Sequence, residues 1–121
     1  ALAMSVAAAG ENLLYFERAR LSSEHVKAGG VSTNHALAIW RSANLLTYKQ
    51  STEAIKGEME RRGLSKAEQD SVVAETKKYR VEFAREQIAR RGVDCARFDT
   101  GLQMYSDLLK RYADRVHLEM Q

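Results

Sequence analysis

The sequence predicts an all-α protein, an antiparallel up-down-up-down four-helix bundle with very short loops. Three junctions carry this prediction: Gly30-Val31-Ser32, Gly63-Leu64-Ser65 and Gly92-Val93-Asp94. In each junction the glycine can end a helix in the left-handed conformation, and the Ser or Asp can accept from free N–H groups of the next helix. The 121 residues contain no proline that would interrupt a helix. Because loops this short place consecutive helices side by side, the helices should alternate in direction.

The junctions divide residues 1–121 into four predicted helices within a single domain. The first predicted helix extends to Lys27. Its start, residues 1–10, has two interpretations: helix or appended sequence, or the remnant of an export signal. The first interpretation is favoured because no basic residue precedes the apolar stretch. Counting these residues also makes the first helix about as long as the others.

Two opposite faces of the first predicted helix are apolar. Leu14, Leu21 and Ala28 share one side, while Tyr15, Ala19 and Val26 lie roughly opposite. Since a bundle helix needs a single apolar stripe, the second face is predicted to bind a partner. The alternative is one broad stripe on a well-buried helix.

The second predicted helix covers residues 33–62. It carries a broad apolar arc at 100° per residue, formed by Leu37, Ile39, Trp40, Ala43, Leu46, Tyr48 and Ile55. Its first half is interpreted as core, and its second half, residues 49–62, is markedly more polar. Four polar residues fall inside this arc, namely Asn44, Thr47, Ser51 and Glu58. They are interpreted either as lining a ligand site or as polar groups that satisfy one another in the interior.

The third predicted helix covers residues 66–91 and begins with a capping box, in which Ser65 and Glu68 satisfy each other's backbone N–H groups. Its predicted core face consists of Val72, Thr76, Tyr79 and Phe83, with Val73 and Ala84 at the margin.

The fourth predicted helix covers residues 95–118 and has the most regular apolar stripe of the four. The stripe consists of Phe98, Leu102, Tyr105, Leu109, Tyr112 and Val116.

Composition excludes several functional classes. The formal net charge is only +3, and basic and acidic residues alternate along the third helix, so a nucleic-acid partner is not expected. The single cysteine, Cys95, excludes an intrachain disulfide and leaves the redox compartment open. No stretch reaches the roughly 18 to 20 apolar residues of a membrane span.

Candidate metal and haem ligands lie at the two ends of the predicted bundle. The topology brings His25, His35, Asp94 and Cys95 to one end, and His25 and Cys95 are the candidate ligands for zinc or a similar metal. Met4 and His117 meet at the other end, as the axial pair does in four-helix haem proteins. The sequence has no H-E-x-x-H, C-x-x-C or C-x-x-C-H motif, so no cofactor is expected.

No set of catalytic residues is apparent, and an enzyme is therefore not expected. The sequence favours a non-enzymatic protein–protein interaction module: an adaptor, regulatory or chaperone-like helical bundle that binds a protein partner or associates with itself. The alternative is a four-helix bundle that binds a small ligand, a metal or haem.

Overall fold

The computed structural model describes residues 4–28, 33–91, 98 and 101–110. These residues form helices and no strand, which confirms the all-α class for the described part of the chain. The helices are α1 Val6–Ala28, α2 Asn34–Ala43, α3 Leu45–Arg61 and α4 Lys66–Arg91, followed by α5, residues 101–110.

The number of helices was predicted wrongly, because the second predicted helix is divided at Asn44 into α2 and α3. The Asn44 backbone N–H donates to the carbonyls of both Trp40 and Arg41, at 3.1 and 3.2 Å. Its side-chain amide donates to the Trp40 carbonyl at 2.9 Å and to Ser106 Oγ of α5 at 3.1 Å. A side chain that bonds a carbonyl one turn earlier competes with the regular helical pattern. Asn44 therefore both interrupts the helix and ties it to α5.

Helix α1 is central, since it packs against α2, α3 and α4 and also contacts α5. The main core cluster joins α1, α2 and α5 and consists of Tyr15, Phe16, Ala19, Val26, Trp40, Phe98, Leu102, Tyr105 and Leu109. A second cluster joins α1 to α4 through Leu21, Ala84 and Ile88. A helix with neighbours on several sides needs apolar residues on several faces, which explains the two apolar faces of α1.

Buried polar contacts fix the direction of α2 and α3 relative to α1. The hydroxyls of Ser23 and Thr33 are hydrogen-bonded near the end of α1. Near its start, Asn12 Nδ2 donates to Ser51 Oγ at 3.2 Å. The Ser51 hydroxyl in turn donates to the Thr47 carbonyl at 2.7 Å. As the chain advances from Thr33 to Ser51, the contacted residue of α1 moves back from Ser23 to Asn12. Helices α2 and α3 therefore run antiparallel to α1.

The junction between α3 and α4 has the predicted structure. Gly63 has φ of 75°, and its N–H donates to the Glu60 carbonyl at 3.0 Å. The Leu64 N–H donates to the Met59 carbonyl at 3.1 Å, which completes a Schellman motif. The predicted capping box follows: Ser65 N–H donates to Glu68 Oε1 at 2.9 Å, and Glu68 N–H donates to Ser65 Oγ at 3.2 Å. The other two junctions lie outside the described residues.

Despite this tight connection, the backbones of α3 and α4 rarely approach each other closely along their described lengths. The structure therefore does not confirm a four-helix bundle with all neighbouring helices packed. Helix α4 is held on α1 by Ala84 and Ile88, which are 0% and 6% exposed.

The predicted core face of α4 was wrong. Tyr79 and Phe83 are 61% and 50% exposed, Thr76 is exposed and Val72 is half-buried. The packed face lies about 100° around the helix from Phe83, at Ala84. The small Ala84 side chain permits a close approach to α1, which the aromatic residues would prevent.

The stripe of the fourth predicted helix is confirmed where the structure describes it. Phe98, Leu102, Tyr105 and Leu109 are all buried. Trp40 Nε1 donates to the Leu102 carbonyl at 2.8 Å and so fastens α5 to α2. Tyr112 and Val116 lie outside the described residues.

Candidate functional site

The divergence of α3 from α4 leaves a groove of about 690 Å³, here called the α3/α4 groove. Leu13, Phe16 and Glu17 of α1 form its floor. The α3 wall consists of Tyr48, Thr52, Ile55, Lys56, Met59 and Glu60, and the α4 wall of Lys66, Gln69, Asp70, Val73, Thr76, Lys77 and Arg80. The floor and lower walls are thus largely apolar, and charged side chains line the rim.

Arg80 is the most unusual side chain in this groove. It is half-buried, and its Nε has no hydrogen-bond partner in the described part of the chain. Burial away from water lowers the pKa of the Arg80 guanidinium, although Glu17 and Tyr48 act in the opposite direction. The arginine therefore retains a free donor for an incoming acceptor.

The nearby acid, Glu17, is already engaged by another arginine. Its Oε2 accepts from Arg20 at 2.8 and 3.1 Å. This hydrogen bond with Glu17 is the main reason that the pKa of Arg20 is raised above its ordinary value. Glu17 is consequently not the hydrogen-bonding partner of Arg80.

A strip of the α4 surface with three exposed residues and half-buried Val72 adjoins the groove. It consists of Val72, Thr76, Tyr79 and Phe83 and is here called the α4 stripe. Thr76 belongs to both features, since it also lines the groove. At 100° per residue, the exposed carboxylates Glu75, Glu82 and Glu86 form an acidic edge beside the stripe.

The structure places the predicted partner-binding residues Tyr15, Ala19 and Val26 in the main core cluster. They are only 8%, 0% and 8% exposed. Helices α2 and α5 cover this face of α1, so a partner cannot reach it. The alternative interpretation, a broad stripe on a well-buried helix, describes what the structure shows.

The predicted ligand-lining residues Asn44, Thr47, Ser51 and Glu58 do not line the α3/α4 groove. Asn44, Thr47 and Ser51 make the internal hydrogen bonds described above. Glu58 forms ion pairs with Arg61 and Arg62 at 2.8 and 2.9 Å, and hydrogen bonds from these arginines lower the pKa of its carboxyl. All four residues interact with their own chain.

The predicted metal and haem sites remain largely untested. His25 is exposed, while Cys95, Asp94 and His117 lie outside the described residues. Within the described ranges, no three His, Cys, Asp or Glu side chains are grouped as metal ligands. The sulfur of Met4 accepts from Asn12 Nδ2 at 3.6 Å.

Sequence reasoning also missed a buried cation outside the groove. Arg18 is 7% exposed, and its guanidinium carbon lies 4.9 Å from the ring centroid of Tyr105 and 6.0 Å from that of Tyr15. These are cation–π distances. Tyr15 and Arg18 are spaced by one helical turn, and this spacing could have indicated a cation–π contact between them. The groove itself had no comparable local signal.

No protein-family model, curated protein or solved structure matches this chain. Among the helices described here, none combines the length and apolar character needed to cross a membrane. The groove and the α4 stripe are the features of the described surface that bear on function.

Proposed function

We propose that this protein is a non-enzymatic protein–protein interaction module that binds an α-helix in the α3/α4 groove. The observation that carries the proposal is the separation of two consecutive helices above an apolar floor. The α4 wall extends from Lys66 to Arg80, which corresponds to about 21 Å or four helical turns. This wall is long enough to follow a helix of about four turns, with α1 forming the floor beneath.

The groove offers the contacts that an amphipathic helix requires. Ile55, Met59 and Val73 provide apolar surface for side chains spaced at i, i+3 or i+4, and i+7. Lys77 and Arg80 provide donors for carboxylates on the flank of the bound helix. Recognition then combines apolar anchors with charged contacts at the rim.

A small apolar ligand is the second candidate, because the groove volume is within the range of ligand pockets, about 300 to 1,000 Å³. Such pockets enclose most of their ligand. Here Lys56, Glu60, Asp70 and Lys77 on the rim are all exposed, so solvent borders both walls of the groove. This openness favours an elongated polypeptide.

Site-specific photo-crosslinking tests the proposal. Benzoylphenylalanine is placed at Thr76 in the groove and, as a matched control, at exposed Ser71, about 140° around α4. After irradiation of the cells that produce the protein, we expect an adduct with a polypeptide, identified by peptide sequencing, from position 76 only. Equal capture from both positions, or no polypeptide adduct, would contradict the proposal. A small-molecule adduct at position 76 would support the second candidate.

A further inference from the structure

We infer that the helix bound in the α3/α4 groove is α4 of a second copy of this chain, so that the protein forms a homodimer. The inference rests on the proposed function, because it identifies the occupant of the same groove. Each copy has a groove and an adjoining α4 stripe, and a two-fold symmetric contact uses both surfaces of both copies.

The first argument is the apolar pattern of α4. Val72, Thr76, Tyr79 and Phe83 are spaced by four, three and four residues, which is the anchor pattern of a helix that enters a groove. Tyr79 and Phe83 remain 61% and 50% exposed although α4 is otherwise anchored on α1. Adjacent exposed aromatic residues of this kind mark an interaction surface rather than scattered surface apolar residues.

The second argument is charge. Glu75 and Glu82, on the acidic edge of the α4 stripe, form no ion pair with any described residue. Lys77 and Arg80 line the groove and likewise have no ion pair within the described ranges. The groove also carries the carboxylates of Glu17, Glu60 and Asp70, of which Glu17 is already paired with Arg20. Lys77 and Arg80 on the α4 wall are therefore the groups that an acidic-edged stripe complements. One chain supplies both halves of the contact.

Burial of Arg80 supports the same arrangement. Its Nε lacks a hydrogen-bond partner among the described residues, and an unsatisfied buried donor is costly. A carboxylate from the second copy satisfies this donor in a charge-assisted hydrogen bond. The dimer thereby provides the acceptor that the described residues of one copy do not provide for Arg80 Nε.

Sedimentation velocity on the intact protein tests the inference at concentrations from about 1 to 100 µM, the range that detects micromolar association. The expected species has twice the 13.6 kDa mass of the chain. Tyr79→Lys should weaken association at least tenfold, because it places a charge in the α4 stripe. Ala74→Lys is the matched control, since it adds the same charge at an exposed position on the other side of α4 and should leave association unchanged.

Thermal unfolding followed by circular dichroism checks that both variants fold. If Tyr79→Lys fails to fold, Tyr79→Ser replaces it, which removes the ring without adding a charge. A wild-type monomer over the whole concentration range would overturn the inference. Equal dissociation by the Ala74→Lys variant, or a dimer unaffected by substitution of Tyr79, would also overturn it.

The photo-crosslinking result separates this inference from the proposed function. A monomer that captures a different polypeptide from position 76 overturns the homodimer and leaves the helix-binding groove intact. A monomer that captures no polypeptide there overturns both. A dimer whose position 76 captures α4 of another copy supports both.

Discussion

Arg18 illustrates how single residues hold charge inside this molecule. Its guanidinium lies against the rings of Tyr15 and Tyr105 and has no ion pair with a described residue. A guanidinium is weakly hydrated compared with an ammonium group and stacks on aromatic faces, so it can be buried where a lysine could not. Arg18 is therefore a buried cation held against aromatic side chains of the main core cluster.

Trp40 is the residue that connects these aromatic contacts to α5. It lies 5.0 Å from Phe16 and 6.5 Å from Tyr105 between ring centroids, and it bonds the Leu102 carbonyl. Trp40→Ala should lower the free energy of unfolding by about 3 to 5 kcal/mol, because it removes a large buried side chain. Urea denaturation measures the change. Ile39→Ala, at the 57% exposed neighbour, is the control, and an equal loss there would refute the expectation.

Replacing Arg80 should stabilise the folded chain, in contrast to replacing Trp40. Because burial lowers its pKa, the folded chain disfavours the charged guanidinium. Arg80→Met retains the apolar stem and should raise the free energy of unfolding of the monomer, by less than about 1 kcal/mol after allowance for solvent. Chemical denaturation at low protein concentration measures this. Arg85→Met on the exposed side of α4 is the comparison, and a stability loss specific to Arg80→Met would be contrary evidence.

At the scale of elements, the start of α4 depends on its capping box. Ser65→Ala should lower the free energy of unfolding by about 1 kcal/mol at pH 7, since it removes a side-chain acceptor for the Glu68 N–H. Denaturant titration of the variant checks this value. No loss of stability would mean that water replaces the Ser65 hydroxyl.

The same cap has a pH dependence. Hydrogen bonds from the Ser65 backbone N–H, and then from its hydroxyl, lower the pKa of Glu68 below its ordinary value of 4.5. The stabilisation is therefore fully present above that value and is lost as the pH falls through the lowered one. The stability difference between wild type and Glu68→Gln should shrink in this acidic range. Glu53→Gln, at an exposed position within α3, should show no comparable change.

The sequence predicted local features of the elements better than their packing. The Gly63 turn and the capping box were predictable because every residue involved lies within one or two helical turns. The break at Asn44 was not, since its side chain bonds Ser106, which is 62 positions away. The packed face of α4 was missed because two of its faces are apolar, and only contact with Leu21 selects Ala84 and Ile88.

For the whole molecule, the central position of α1 determines which substitutions the chain tolerates. Val26→Asp places a charge in the main core cluster and should lower the free energy of unfolding by more than about 3 kcal/mol. His25→Asp, at the exposed neighbouring position, should change it by no more than about 0.5 kcal/mol. Circular dichroism during urea titration distinguishes the two. A Val26→Asp variant that folds with an unchanged free energy of unfolding would show that this face of α1 is not part of the core.

The sequence did not predict the candidate site, and the reason lies in how the helices pack in the whole molecule. Helical periodicity identifies the apolar faces but assumes that every face meets another helix. The groove exists because α3 and α4 both pack on α1 while their own backbones rarely come close together. Ile55 and Val73 were therefore interpreted as core and marginal residues, and the basic residues of α4 as part of a solvated surface.

The uneven anchoring of α4 has a consequence for its internal motion. Its later turns are fixed on α1 by Ala84 and Ile88, while its earlier turns border the open groove. Backbone amides open locally with a free energy that follows local packing, so deuterium uptake should be fast near residues 69–76 and slow near residues 84–88. Helix α4 is then held more firmly at its later turns than at its earlier turns. A partner bound in the groove should therefore slow deuterium uptake most strongly near residues 69–76.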